Sequence, residues 1–172
     1  MIECNIRLCV GCRMCEVACS VFHSASVSPA LSRIRVSKLE EIGLDMAVAC
    51  VGCSEQPCLE CPKEALSAGA RGEILLDARL CDACRVCEDA CPIGAVGFCD
   101  DRPLICDLCG GEPMCVAVCP TRALSCREGA RDISLRAFQN FVGSPGEKRA
   151  RYVRAQGEPL RASWQEGARV DS

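Results

Sequence analysis

The stretch Cys81-Asp82-Ala83-Cys84-Arg85-Val86-Cys87-Glu88-Asp89-Ala90-Cys91-Pro92 sets four cysteines at C-x2-C-x2-C-x3-C and closes on proline. Three thiolates two residues apart can wrap three corners of one cubane, and the fourth, carried off on a helix, can reach a second. Pro92 has no N–H to give and keeps the ligand segment from running on as regular structure. The spacing recurs. Cys9, Cys12, Cys15 and Cys19 repeat it, with Ser20 where the proline would stand. Cys106, Cys109, Cys115 and Cys119-Pro120 give C-x2-C-x5-C-x3-C-P, and Cys50, Cys53, Cys58 and Cys61-Pro62 give C-x2-C-x4-C-x2-C-P. The four quartets hold sixteen of the nineteen cysteines. Four 4Fe-4S clusters are therefore expected, or three if the second quartet, whose last gap is one residue short, cannot hold one.

Nineteen cysteines in 172 residues, with only 3% aromatics, mark a scaffold held by metals or cross-links rather than by an ordinary core. A disulfide framework would call for an oxidising compartment, and residues 1–10 lack the basic-then-apolar order of an export signal. Zinc sites use separated C-x2-C pairs, not quartets closing on Cys-Pro. Residues 1–126 carry eleven Lys/Arg against seventeen Asp/Glu, and residues 127–172 carry nine against six. An acidic ligand region argues against nucleic-acid binding. No run of about twenty apolar residues exists to span a membrane, and a cytoplasmic protein is expected.

Between the quartets the pattern is of short strands. Ile2 to Leu8 reads as an edge strand; Ile34 and Val36 alternate with polar residues, and a turn at Glu40–Gly43 makes a hairpin with Leu44–Ala49. Glu64-Ala65-Leu66 reads as a helical turn, Glu73–Asp77 as a strand, and Asp100–Pro103 as a turn. Lys63–Leu66 after Cys61-Pro62 is matched by Thr121–Leu124 after Cys119-Pro120, so the repeated unit is the ligand motif itself. In the cysteine-free segment 127–172, Leu135, Phe138 and Val142 form the stripe of an amphipathic helix that Asp132 or Ser134 could cap. The stretch Gly143–Gly146 breaks it before the basic run Lys148–Arg154. That run reads either as a solvated helix face or as a docking arm with Tyr152 and Trp164 as anchors.

His23 is the only histidine, and since every quartet has four cysteines it is read as a hydrogen-bonding or packing residue rather than a ligand. Cys4, Cys99 and Cys126 lie outside the quartets and read as small buried hydrophobes; the sharper alternative makes one of them a substitute ligand for the short second quartet. Fully cysteine-ligated cubanes leave no coordination site for a substrate, so no catalysis by the chain alone is expected. Arg13, Arg85 and Arg122 beside the ligand loops are candidates to raise a cluster's potential, and Glu16, Glu88 and Asp89 to lower it.

With these residues in view, the chain resembles the four-cluster ferredoxin-type subunits of molybdenum and tungsten oxidoreductases. Cys19-Ser20-Val21-Phe22-His23, Pro29–Val36 and Cys106-Asp107-Leu108-Cys109-Gly110-Gly111 look like the small subunit that accompanies tungsten aldehyde oxidoreductase and tungsten benzoyl-CoA reductase enzymes. The resemblance spans about residues 4–126. It implies an α+β fold of nested ferredoxin-like modules, the outer from residues 1–49 with 99–126 and the inner from 50–98. It further implies exchanged fourth ligands: Cys9, Cys12 and Cys15 with Cys119; Cys106, Cys109 and Cys115 with Cys19; Cys50, Cys53 and Cys58 with Cys91; Cys81, Cys84 and Cys87 with Cys61. The implied role is an electron-transfer subunit between a large tungsten- or molybdenum-pterin catalytic subunit and a flavin subunit or ferredoxin. A free polyferredoxin carrier and a self-associating conducting filament are the alternatives.

Overall fold

The computed structural model describes residues 1–127, 129 and 132–167. Its strands are short and paired two by two, because the ligand loops interrupt the chain before a larger sheet can form. The first strand, β1 (Ile2–Cys4), ends before the turn at residues 6–8 instead of running to Leu8. Helix α1 (Met14–Ser24) follows the first ligand loop and ends on Ala25, whose φ of 51° lets its N–H return to Val21 O. Then come the expected hairpin β2 (Arg35–Leu39) and β3 (Leu44–Val48), with Leu39 opposite Leu44.

Where a helical turn is expected at Glu64–Leu66, the chain instead enters strand β4 (Leu66–Ala68), which pairs with β5 (Ile74–Leu76). Glu64 has a φ of 53°, outside the right-handed helix, and Arg122 in the matching unit has the same value. Both units thus run from Cys-Pro through one left-handed residue into a strand beginning at leucine. A short helix α2 (Val86–Ala90) carries Cys87. Strands β6 (Gly97–Cys99) and β7 (Arg102–Leu104) are joined through Asp100 and Asp101, both at positive φ (47° and 58°), the hand a two-residue hairpin loop requires. After α3 (Met114–Ala117), strand β8 (Leu124–Cys126) returns to pair antiparallel with β1. Mixed helices and small antiparallel pairs make the fold α+β.

Strand β3 is the partition of the molecule. Successive side chains of a strand point to opposite faces, and here both faces are buried. Met46 and Val48 enter a core with Val51, Leu66, Ile74, Ile93 and Val96. Ala47 and Ala49 enter a second core with Ile2, Ile34, Leu108 and Leu124.

The expected helix on Leu135, Phe138 and Val142 does not form. Only a 3-10 turn covers Arg136–Phe138, and Val142 is 96% exposed. Glu55 is the reason: its carboxylate accepts the Ser134 hydroxyl (2.6 Å) and the Leu135 N–H (3.1 Å), so Ser134 is spent on a loop of the second quartet and cannot cap. Those two donors hold the Glu55 carboxyl down at about 2. Asp132, the other expected cap, pairs with Arg127 at 2.9 Å. The helix comes later, as α4 (Pro145–Gly167). Ser144 and Glu147 build a capping box, with Glu147 Oε2 accepting the Ser144 N–H (2.8 Å) and Ser144 Oγ accepting the Glu147 N–H (3.3 Å), and Pro145 takes the first helical position. Tyr152, Val153 and Leu160 are buried under α4, and Trp164 is exposed. Among the described residues no helix is long and apolar enough to cross a membrane.

Candidate metal centre

Two ligand loops turn on matching pairs of left-handed residues: Gly11 and Arg13 have φ of 60° and 63°, Ala83 and Arg85 58° and 64°. The change of hand keeps the cysteines from alternating between faces, as they would along a strand, and folds them to one side. Asp82 Oδ1 accepts the Cys84 N–H (3.3 Å) and Asp107 Oδ1 the Cys109 N–H (3.0 Å), so a Cys-Asp-x-Cys word braces two of the loops. Gly11 differs from its twin Ala83 in one respect. A Cβ on Gly11 would run into the Asp45 carboxylate. Gly11→Ala is therefore expected to lower stability by about 1–3 kcal/mol, and Ala83→Gly to change it by less than about 1 kcal/mol. Unfolding of the two variants side by side checks the contrast.

The quartets do not close on themselves. Cys9, Cys12 and Cys15 line a cavity with Cys119. Cys50, Cys53 and Cys58 line one with Cys91, and Cys81, Cys84 and Cys87 one with Cys61. Cys106, Cys109 and Cys115 each feel the charge of Cys19. In the short second quartet, Cys61 lines the cavity of the Cys81 triplet, and Cys91 lines that of Cys50, Cys53 and Cys58.

Charge coupling between groups gives their order. Cys15 acts on Cys115, Cys50 on Cys106, and Cys87 on Cys58. The Cys9 group is thus followed by the Cys106 group, then the Cys50 group, then the Cys81 group. Cys12 and Cys84 are exposed, and they belong to the first and last groups of this row. The two cores divide the same way: Cys15, Cys19, Cys106, Cys115 and Cys119 pack in one, and Cys50, Cys53, Cys58, Cys61, Cys87 and Cys91 in the other.

The donor set fits a metal-sulfur group. All nineteen cysteines are free of disulfides. Burial first, and neighbouring thiolates after it, push Cys50 and Cys58 up to about 12 and Cys87 to about 11. Burial likewise raises Cys15 to about 12, with Glu16 adding. Such sulfurs resist ionising together unless cations enter among them, and entry then releases the protons. Backbone N–H groups reach two of the sulfurs: Arg33 donates to Cys19 at 3.3 Å and Ala95 to Cys91 at 3.2 Å.

His23 touches a quartet residue, with Nε2 3.6 Å from Cys109 Sγ and 3.4 Å from Asp107 Oδ1, and Arg33 Nη1 pairs with Asp107 Oδ2 at 2.5 Å. Burial and the Arg33 charge push His23 below its ordinary value. None of the three extra cysteines lines the cavity about Cys50, where Cys91 is the fourth cysteine. Cys4 beside Cys9 pulls the Cys9 thiol below its ordinary value, and Cys99 lies 3.8 Å from Asp100 Oδ2. Of the expected electrostatic levers, Arg85 stacks on Phe98 (4.7 Å to the ring centroid) and faces Glu88 at 3.4 Å. Glu16 is buried and accepts the Val36 N–H at 2.7 Å.

Sequence reasoning missed the residues that hold this architecture from the tail. Lys148 is buried, and its Nζ donates to the last-turn carbonyls Glu88 O (3.3 Å) and Asp89 O (2.6 Å) just before Cys91. A cation there caps the C-terminal end of α2. Arg149 donates to Gly94 O at 2.6 Å, on the other side of Cys91.

No family model matches the chain. The polyferredoxin-like subunit of an aliphatic sulfonate oxidoreductase of Pyrococcus furiosus is 40% identical over 115 residues, covering 64% of this chain and 66%, just under two thirds, of that protein. The putative electron transport protein YsaA of Escherichia coli is 41% identical over 135 residues, covering 70% of this chain and 84% of that one. A solved chain of the active-site complex BamBC of benzoyl coenzyme A reductase in complex with benzoyl-CoA is 32% identical, covers 74% of this chain and 78% of its own, and superposes with a TM-score of 0.46. On the YsaA match, which spans most of both proteins, this chain belongs to the same family of electron transport proteins.

Proposed function

We propose that the chain holds four 4Fe-4S clusters in a row and relays single electrons between a large pterin-bearing tungsten or molybdenum subunit and a redox partner such as a flavin subunit or ferredoxin, without catalysing a reaction itself. The observation that carries this is the row, with its exposed cysteines in the first and last groups and none in the inner two. Bound there, the clusters would supply one-electron cycling with no open coordination site. The residues do the rest. Cys9, Cys12, Cys15 and Cys119 would hold the first; Cys106, Cys109, Cys115 and Cys19 the second; Cys50, Cys53, Cys58 and Cys91 the third; Cys81, Cys84, Cys87 and Cys61 the fourth. Ile2, Ile34, Ala47 and Leu124 keep water from the first two, and Val51, Ile74, Ile93 and Val96 from the others.

Two nested ferredoxin-like modules, 1–49 with 99–126 outside 50–98, are supported by the pairing of β1 with β8 and by the division of the cysteines between two cores. The pterin-bearing partner rests on the resemblance of the flanking words and on the oxidoreductase subunit among the relatives.

Anaerobically prepared chain is expected to contain about sixteen irons and sixteen sulfides, and to lose its fold with a strong iron chelator, since thiolates packed this closely need the metal. It should accept electrons from a strong reductant, transform no aldehyde, thioester or formate alone, and bring down a larger tungsten or molybdenum protein from its native cells. Stoichiometric zinc in a colourless folded preparation, or turnover by the chain alone, would end the proposal. Recovery only as a monomer would favour the free carrier.

A further inference from the structure

We propose that His23 donates a hydrogen bond through Nε2 to the Cys109 sulfur and thereby makes the second site of the row easier to reduce than it would be without that donor. The inference rests on the four-cluster reading above, and concerns the potential of that one site.

Cys19 and His23 are four residues apart on α1, so they share a helix face. One face thus delivers a sulfur to the second site and a side-chain nitrogen beside another sulfur of the same site. The His23 side chain is 11% exposed, and the Phe22 ring meets it edge-on with centroids 4.9 Å apart. Nε2 lies between two atoms, Cys109 Sγ at 3.6 Å and Asp107 Oδ1 at 3.4 Å. A coordinating thiolate carries no proton, and the Asp107 carboxylate already accepts the Cys109 N–H and pairs with Arg33. Both neighbours are acceptors, so the proton between them belongs to Nε2.

A donor on a ligand sulfur stabilises the more negative, reduced state of the site, and hydrogen bonds to sulfur are among the protein's levers on potential. Arg33 acts in the same direction, donating its backbone N–H to Cys19 of the same site while its guanidinium lies within 2.5 Å of Asp107. Cys91 and Cys119 in other sites receive the Ala95 N–H at 3.2 Å and the Thr121 hydroxyl contact at 3.8 Å. At the second site a side-chain N–H is added to donors of this kind.

Because His23 is the only histidine, a chain grown with nitrogen-15 histidine carries the label at one position. Pulsed electron paramagnetic resonance of the reduced, fully loaded wild-type chain should show nitrogen-15 coupling on one cluster signal. In redox titrations followed by the same resonance, His23→Ala should disfavour reduction of one cluster about tenfold, or about 59 mV for one electron, and leave the other three in place. His23→Gln, which keeps an N–H donor, should recover part of the shift. Four clusters with no nitrogen coupling, or a His23→Ala chain with all four potentials unchanged, overturns the inference. If His23→Ala fails to load, the wild-type coupling decides alone. Wild-type protein with fewer than four clusters would instead overturn the four-cluster reading, and iron analysis of the same sample tells the two failures apart.

Discussion

Replacing Cys91 by alanine is expected to remove about four of about sixteen irons, and to remove them from the site of Cys50, Cys53 and Cys58 rather than from that of Cys81, Cys84 and Cys87. Along the chain Cys91 is the near neighbour of the second triplet, but in space it lines the cavity of the first. Burial raises Cys50, Cys53 and Cys58, and the Cys91 charge adds to each. The Cys81 triplet keeps Cys61 and should still assemble. Losing the acceptor of the Ala95 N–H costs the apo fold only about 1 kcal/mol, so the effect should appear as missing iron rather than global unfolding. The site struck is an inner one, and electron passage between the ends should fall with it. Iron and sulfide analysis with paramagnetic resonance of the reduced protein reads the outcome, and Cys84→Ala, at an exposed ligand of the last site, serves as the comparison. A loss confined to the signal of the Cys81 triplet would show that the ligands do not cross.

How far the sequence could be read depended on whether a residue's partner lay close along the chain. The quartets were legible because their chemistry demands a fixed local spacing, and the hairpin at residues 35–48 because alternation and a turn are local signals. The helix expected on Leu135, Phe138 and Val142 failed for a nonlocal reason. The stripe was real, but Glu55, some eighty residues upstream, takes the donors that a helix start would have used. The error hid a signal that was present. Ser144-Pro145-Gly146-Glu147 spells a capping box with proline at the first helical position, yet its proline and glycines read as breakers. Glu64 and Arg122 show a subtler limit, since nothing in Lys-Glu-Ala-Leu announces a left-handed residue in a short segment whose composition favours helix. His23 beside Cys109 is out of reach in the same way: the helix spacing to Cys19 is legible, but the 86-residue separation from Cys109 is bridged only by the fold.

Removing the chain from Ser144 onward is expected to empty the Cys50 and Cys81 sites while sparing the Cys9 and Cys106 sites, a loss of about eight of about sixteen irons. The selectivity follows from the cores. Tyr152 and Val153, 7% and 0% exposed, belong to the core that packs Cys50, Cys53, Cys58, Cys61, Cys87 and Cys91, and among the described residues none of α4 belongs to the other. Tyr152 meets Phe138 edge to face at 5.4 Å, and Lys148 and Arg149 grip the carbonyls on either side of Cys91. Tyr152→Ala alone should cost about 3–5 kcal/mol by analogy with other large aromatic truncations, against a total of about 5–15 kcal/mol for an ordinary domain. Losing the whole helix goes further, because it also leaves the α2 carbonyls without Lys148. Of the two residues expected to anchor a partner, Tyr152 is therefore committed to the chain's own core, and Trp164, 41% exposed, is left on the outer face. Iron analysis and unfolding of the truncated chain, beside Tyr152→Ala and Trp164→Ala, separate the two roles. A truncated chain that keeps all its iron and loses only a partner would make the segment a docking arm and nothing more. Loss of half the iron would make it a wall of the inner module, with only the face around Trp164 free for docking.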